Sequence, residues 1–202
     1  MRGGQFIQAI DAELEKLQEM GIVRQEEIAV YRYGFDALYT ALLQMASIFC
    51  LALVVGNFFE TFLFFLAFIP LRIYAGGYHA GTRLNCYLLS LANYGLFSLA
   101  LLFVPGAFYS PLILCGCAFS GVIILTYAPI VHANRKASEA SKKHYRRVSL
   151  VIGSIEIIVL LTLQVIFKDN PLIFAFFLGM ISETLSMLAV KIKERCEQQW
   201  LN

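Results

Sequence analysis

Charge is scarce in this sequence. Only 15% of its 202 residues are Asp, Glu, Lys or Arg, and tryptophan occurs once, whereas 59% are hydrophobic and 17 are Phe. Mean hydropathy is +0.69. A water-soluble domain of this length could not hide so much apolar surface behind so few charged groups. The balance excludes a disordered chain, a secreted disulfide scaffold and a nucleic-acid reader, and a net charge of +2 is unremarkable as a total, so its distribution carries the information. Cysteine is also sparse. Cys50, Cys86, Cys115, Cys117 and Cys196 are odd in number and lack zinc-like spacing, which excludes a secreted disulfide scaffold and points to free thiols. Cys115 and Cys117 would face two directions on a helix. There is no His-Glu-x-x-His, and the three histidines are scattered, so neither a metal nor a cofactor is expected. The first 34 residues contain no apolar h-region, so no secretory signal is expected.

Long apolar runs are what the chain has instead. They cover about 37–55, 62–71, 86–104, 112–131, 148–167 and 172–190, and a spanning helix needs roughly 20 residues. The second is short unless it starts near Asn57 and continues past Pro70. Gly56-Asn57, Pro105-Gly106 with Pro111, and Asn170-Pro171 are turn signals between runs. The expected fold is all-α, a polytopic membrane protein with six transmembrane helices. It is read as a single membrane domain over 1–202, with amphipathic helices at 1–34, the bundle at 37–190 and a tail at 191–202. With six spans and both termini on one side, that side receives 15 of the 16 Lys and Arg residues, and only Lys168 falls opposite. The positive-inside rule then makes both termini cytoplasmic.

Ahead of the spans, Ile7, Ile10, Leu14 and Leu17 recur at 3-4-3 spacing among charges, with Gly21 as a C-cap. This pattern predicts an amphipathic helix over 5–20, lying on the membrane surface or against the bundle. A second short helix is expected over 24–36.

One polar interruption differs from the rest. Arg72-Ile73-Tyr74-Ala75-Gly76-Gly77-Tyr78-His79-Ala80-Gly81-Thr82-Arg83-Leu84-Asn85-Cys86 gathers three glycines, two arginines, a histidine and a cysteine between two spans. Irregular backbone at membrane depth is tolerated only where it is buried in protein or faces water, so the segment is a candidate active site. On one continuous helix His79 and Cys86 would lie about 10 Å apart along the axis, too far for a thiol–imidazole contact. A dyad therefore requires the chain to turn between them, with Gly81 and Thr82 offering the turn and an N-cap. Cys86 would then sit at a helix N-terminus, where backbone amides favour a thiolate. Taken alone, the cysteine reads equally as a small hydrophobe and the histidine as solvated.

Arg72, Gly77, His79-Ala80 and Cys86-Tyr87 resemble the signature of the accessory gene regulator B (AgrB) family of membrane endopeptidases. The resemblance continues through Tyr127-Ala128-Pro129, the basic segment after it and Glu183, spanning about Tyr31 to Val190. It does not extend to Arg83. It implies a bacterial cytoplasmic-membrane enzyme that cleaves an AgrD-type propeptide, with Cys86 as nucleophile and His79 as base. Capture of the acyl-enzyme inside the peptide would give a thiolactone or lactone autoinducer precursor.

Two further features carry expectations. Residues 132–147 hold Arg135, Lys136, Lys142, Lys143, Arg146 and Arg147 in an expected loop, which either fixes topology or docks an acidic propeptide tail or anionic lipid. Glu156 and Glu183 fall inside spans, where ionisable groups usually face the bundle interior. They are expected at similar depth on the side of the His–Cys segment. Arg72, Gly77, Glu156 and Glu183 are thus candidates for supporting roles. A peptide transporter, or a scaffold for a sensor kinase, is the competing reading, and a homodimer stands open as the assembly.

Overall fold

The computed structural model describes residues 3–78, 82–130 and 138–200, and all its regular structure is helical. Seven α-helices follow in order: α1 (Gly3–Glu19), α2 (Ile28–Val55), α3 (Phe58–Ala75), α4 (Arg83–Phe103), α5 (Tyr109–Tyr127), α6 (Glu139–Ile166) and α7 (Pro171–Trp200). Short 3-10 turns at Gln25–Glu27 and Gly106–Phe108 lead into α2 and α5. Among the described residues six helices are long and apolar enough to cross a membrane, α2 to α7. The outer surface agrees with lipid as solvent. Val54, Val165 and Leu102 are 84%, 76% and 74% exposed, an arrangement that water would penalise and hydrocarbon does not.

Residues 1–50 and 51–202 form two compact units. In the first, α1 is amphipathic as its spacing predicts. Leu14 is buried while Glu13, Glu15 and Lys16 are exposed. Gly21 has φ 71°, a left-handed conformation suited to glycine just beyond a helix end. Arg32 of α2 pairs with Asp11 of α1 at 2.5 Å. The short helix expected over 24–36 does not exist as a separate element. The 3-10 turn runs directly into α2, because no proline interrupts the apolar run and Gly34 is accommodated within the helix.

In the second unit, α3 packs most extensively on α7, and α5 bridges α6 and α7. Small residues allow the close approach, as expected where lipid removes the hydrophobic drive between helices. A Cβ on Gly179 would overlap the carbonyl oxygen of Phe64, and one on Gly153 would lie 2.9 Å from Ile124 Cδ1. The core between the helices includes Leu71, Ile113, Leu160, Phe174, Met180 and Met187. Tyr109 and Phe174 stack at 4.0 Å between ring centroids. The short second run becomes a full span as the arithmetic requires, since α3 starts at Phe58 and continues through Pro70. Asn170 caps α7, its Oδ1 accepting from Leu172 N at 2.8 Å with Pro171 as the first helical residue.

The segment expected as a loop over 132–147 requires a correction. Residues 139–147 are the first turns of α6, so Lys142, Lys143, Arg146 and Arg147 lie on a helix. Ser138 accounts for this: its hydroxyl accepts from Ser141 N at 3.2 Å, and Glu139 sits in the first turn, where the helix dipole favours an acid. Arg135 and Lys136 lie outside the described residues, as does His132.

Candidate functional site

Three chain segments meet where α3 ends. Gly76 closes α3 with φ 71° and ψ 173°, a conformation that L side chains rarely adopt. Its Cα is pressed on the carbonyl of Ile130, just beyond α5, where a Cβ would have no room. Ile130 N in turn donates to Ala75 O at 2.7 Å. The exits of α3 and α5 are thereby joined backbone to backbone. From α6, Arg146 donates to Ala128 O and Leu125 O, each at 3.2 Å, satisfying carbonyls that the end of α5 leaves without helical partners.

Beyond Gly76 the chain passes over a polar cluster. Arg72, in the last turn of α3, donates through Nη1 to Ser186 Oγ at 2.8 Å and to Glu183 Oε2 at 3.4 Å. Its Nη2 donates to the carbonyl of Tyr78. Ser186 Oγ also accepts from Tyr78 N at 2.9 Å. Gly77 lies directly under these groups. A Cβ there would overlap the Arg72 guanidinium and stand 2.5 Å from Glu183 Oε1 and 2.7 Å from Ser186 Oγ, so a larger residue would have to displace these side chains. The ring of Tyr78 has Lys193 Nζ at 5.8 Å from its centroid, within cation–π range.

Cys86 belongs to the helix that follows. Thr82 has extended backbone and caps α4, its hydroxyl accepting from Asn85 N at 3.2 Å. Arg83 is therefore the first helical residue and Cys86 lies in the first turn, with Cys86 N donating to Thr82 O at 3.0 Å. Ser90 Oγ donates to Cys86 O at 3.0 Å. Cys86 is half-buried and is a free thiol, as are Cys50, Cys115, Cys117 and Cys196. Cys115 is exposed and Cys117 buried, the two directions expected for a Cys-x-Cys pair on a helix. The non-helical stretch is narrower than 72–86, because Arg72 and Cys86 both belong to helices. His79 lies outside the described residues, together with Ala80 and Gly81.

Both intramembrane acids face inward. Glu183 is fully buried, and only 5% of Glu156 is exposed. One oxygen of each, Glu183 Oε1 and Glu156 Oε2, has no hydrogen-bond partner among the described residues. Antiparallel register places Glu156 near the middle of α5. Gly153 faces Ile124, Ile157 faces Gly121, and Gln164 Nε2 donates to Ser110 Oγ at 2.6 Å. At the same level Ser120 of α5 is 3.1 Å from Thr184 of α7, next to Glu183. Glu183 joins the Arg72 cluster. No group of three or more metal-ligating His, Cys, Asp or Glu side chains occurs among the described residues.

Sequence reasoning selected Arg72, Gly77 and Glu183 separately and the structure brings them together. It missed Ser186. The available signal was spacing, since Ser186 follows Glu183 by three and so shares its helix face.

These features define a polytopic, all-α membrane protein with a polar centre where α3 and α5 end and a half-buried thiol in the first turn of α4. The profile of one family, accessory gene regulator B, matches residues 7–188. The chain belongs to that family, which is associated with the processing of quorum-sensing autoinducer peptides and acts on an AgrD-type propeptide. No curated protein and no solved structure matches the chain.

Proposed function

We propose that this protein is a membrane cysteine endopeptidase and cyclase for a signalling propeptide, with Cys86 as nucleophile and His79 as general base. The observation that carries the reading is the place of Cys86: a free, half-buried thiol in the first turn of a capped helix. An unperturbed thiol has a pKa near 8.5, so only a few per cent is thiolate at neutral pH until a base takes the proton.

The steps balance without a cofactor. His79 takes the thiol proton, and the thiolate attacks the scissile carbonyl. The C–N bond breaks, the leaving amine takes the proton from His79, and an acyl thioester remains on Cys86. A cysteine or serine within the acyl peptide then attacks that thioester, closing the ring and restoring the Cys86 thiol. Hydrolysis would waste the activation stored in the thioester, so a site screened from water favours ring closure. Fifteen of the sixteen basic residues fall on one face in a six-span topology, which supports a cytoplasmic active site and cytoplasmic termini in the bacterial cell membrane. On that face Lys142, Lys143 and Arg147, with Arg135 and Lys136, are suited to an acidic propeptide tail.

Purified protein in vesicles, incubated with an AgrD-type propeptide, tests this. Cys86→Ala and His79→Ala should each abolish cleavage without changing insertion. A propeptide whose ring-forming residue is Ala should leave an adduct on Cys86 or a slowly hydrolysed linear fragment. Normal turnover by Cys86→Ala defeats the reading. An adduct mapped to Cys50, Cys115, Cys117 or Cys196 assigns the wrong nucleophile.

A further inference from the structure

We propose that Ser186 is a positioning residue for the segment that leads into the candidate base, holding the backbone at Tyr78 from which His79 follows. This deepens the reading of His79 and Cys86 and rests on it. The geometry is a closed ring of hydrogen bonds. Ser186 Oγ accepts from Tyr78 N at 2.9 Å and from Arg72 Nη1 at 2.8 Å. Arg72 Nη2 then returns to Tyr78 O. Both peptide groups of Tyr78 are thus tied to α7 and α3, and the two ties are fastened to each other at one hydroxyl.

Glu183 contributes differently. Its Oε2 lies 3.4 Å from the same Arg72 nitrogen, longer than the Ser186 contact. Ser186 accepts directly from the backbone N–H of Tyr78. The packing underneath confirms how closely the ring is drawn, because a Cβ on Gly77 would come within 2.7 Å of Ser186 Oγ. Replacing the hydroxyl by hydrogen would leave two donors without their acceptor and release Tyr78 N–H. A misplacement of about 1 Å at a group that must reach a nucleophile costs on the order of a hundredfold in rate.

The experiment uses the full chain in vesicles, with Ser186→Ala, Ser186→Thr and Cys86→Ala beside the native protein. Two readouts are taken: turnover of an AgrD-type propeptide, and hydrogen–deuterium exchange of the peptide containing Tyr78. Ser186→Ala should lower kcat at least about tenfold with KM within about threefold, and the Tyr78 amide should exchange faster. Ser186→Thr, which keeps the hydroxyl, should recover most of the turnover and the slow exchange. Unchanged Tyr78 exchange in Ser186→Ala, native turnover in that variant, or equal losses in the Ala and Thr variants would each overturn the proposal. If Ser186→Ala fails to insert, the exchange and turnover of Ser186→Thr decide alone, with departure from native protection counting against positioning by the hydroxyl. Cleavage that survives Cys86→Ala refutes the endopeptidase reading instead, and the exchange result for Ser186 is read independently of it.

Discussion

Arg72 uses two nitrogens for three partners. One reaches Ser186 and Glu183, and the other reaches the carbonyl of Tyr78. A planar fork can do this; an ammonium, which is a compact point charge, cannot occupy both positions. Its side chain is 21% exposed, against complete burial for Glu183, so the acid depends on the arginine more than the reverse. Losing one member of a buried pair typically costs about 3–5 kcal/mol, and the partial exposure of Arg72 reduces that to about 2–3 kcal/mol here. Arg72→Lys should therefore fail to process propeptide nearly as completely as Arg72→Ala, while keeping more of the thermal stability. Parallel melting and cleavage measurements check this, and native cleavage by Arg72→Lys would show that charge alone suffices. The sequence made Arg72, Gly77 and Glu183 visible because a charge within an apolar run and a doubled glycine are rare there. Ser186 carried no such mark. A serine in a membrane helix is ordinary, and only the fold reveals that it accepts from a backbone amide 108 positions away.

Helix ends decide where the functional groups stand. Thr82, Ser138 and Asn170 each cap the helix that follows; of the three only Thr82 reads as a cap in the sequence, Asn170 reading as part of a turn and Ser138 falling in the expected loop. The apolar runs disclosed the six spans but not their true lengths. Helix α6 begins at Glu139, nine residues before the apolar run at Val148, because a cap and an acidic first turn support helix among polar residues too. Hydropathy has no means of seeing that. This alters the meaning of the basic residues. Arg146 binds Ala128 O and Leu125 O, and Lys142 pairs with Glu139 at 2.7 Å. Arg146→Gln should lower stability by about 1–2 kcal/mol through two lost charge-assisted bonds, seen as a reduced melting temperature, with an effect that salt changes little. Lys143→Gln with Arg147→Gln should leave the melting temperature unchanged and weaken processing most at low ionic strength, where charge attraction is unscreened. If the pair of variants cuts at a native rate at every salt concentration, these two cations serve topology alone.

At the scale of the whole molecule, the all-α polytopic architecture follows from composition and run length, which the bilayer constrains to a few solutions. The convergence of α3, α5, α6 and α7 on one polar centre does not follow from them. It depends on which helix touches which, and that depends on close approaches such as Gly179 on Phe64. One of those helices is short. Helix α3 has 18 residues, about 27 Å at 1.5 Å per residue, against a hydrocarbon layer of about 30 Å. The lipid must thin around it or the helix ends must be drawn inward, at a fraction of a kcal/mol per Å. Arg72 and Gly76 stand at one of those ends, so under the proposed function the thickness of the surrounding membrane would become an input to the chemistry. In vesicles of graded acyl length, turnover should peak in thin bilayers and fall as the chains lengthen, and a flat profile would show that the bundle absorbs the mismatch elsewhere. A cell that changes its lipid chains with growth temperature would then be adjusting the gain of its own signal.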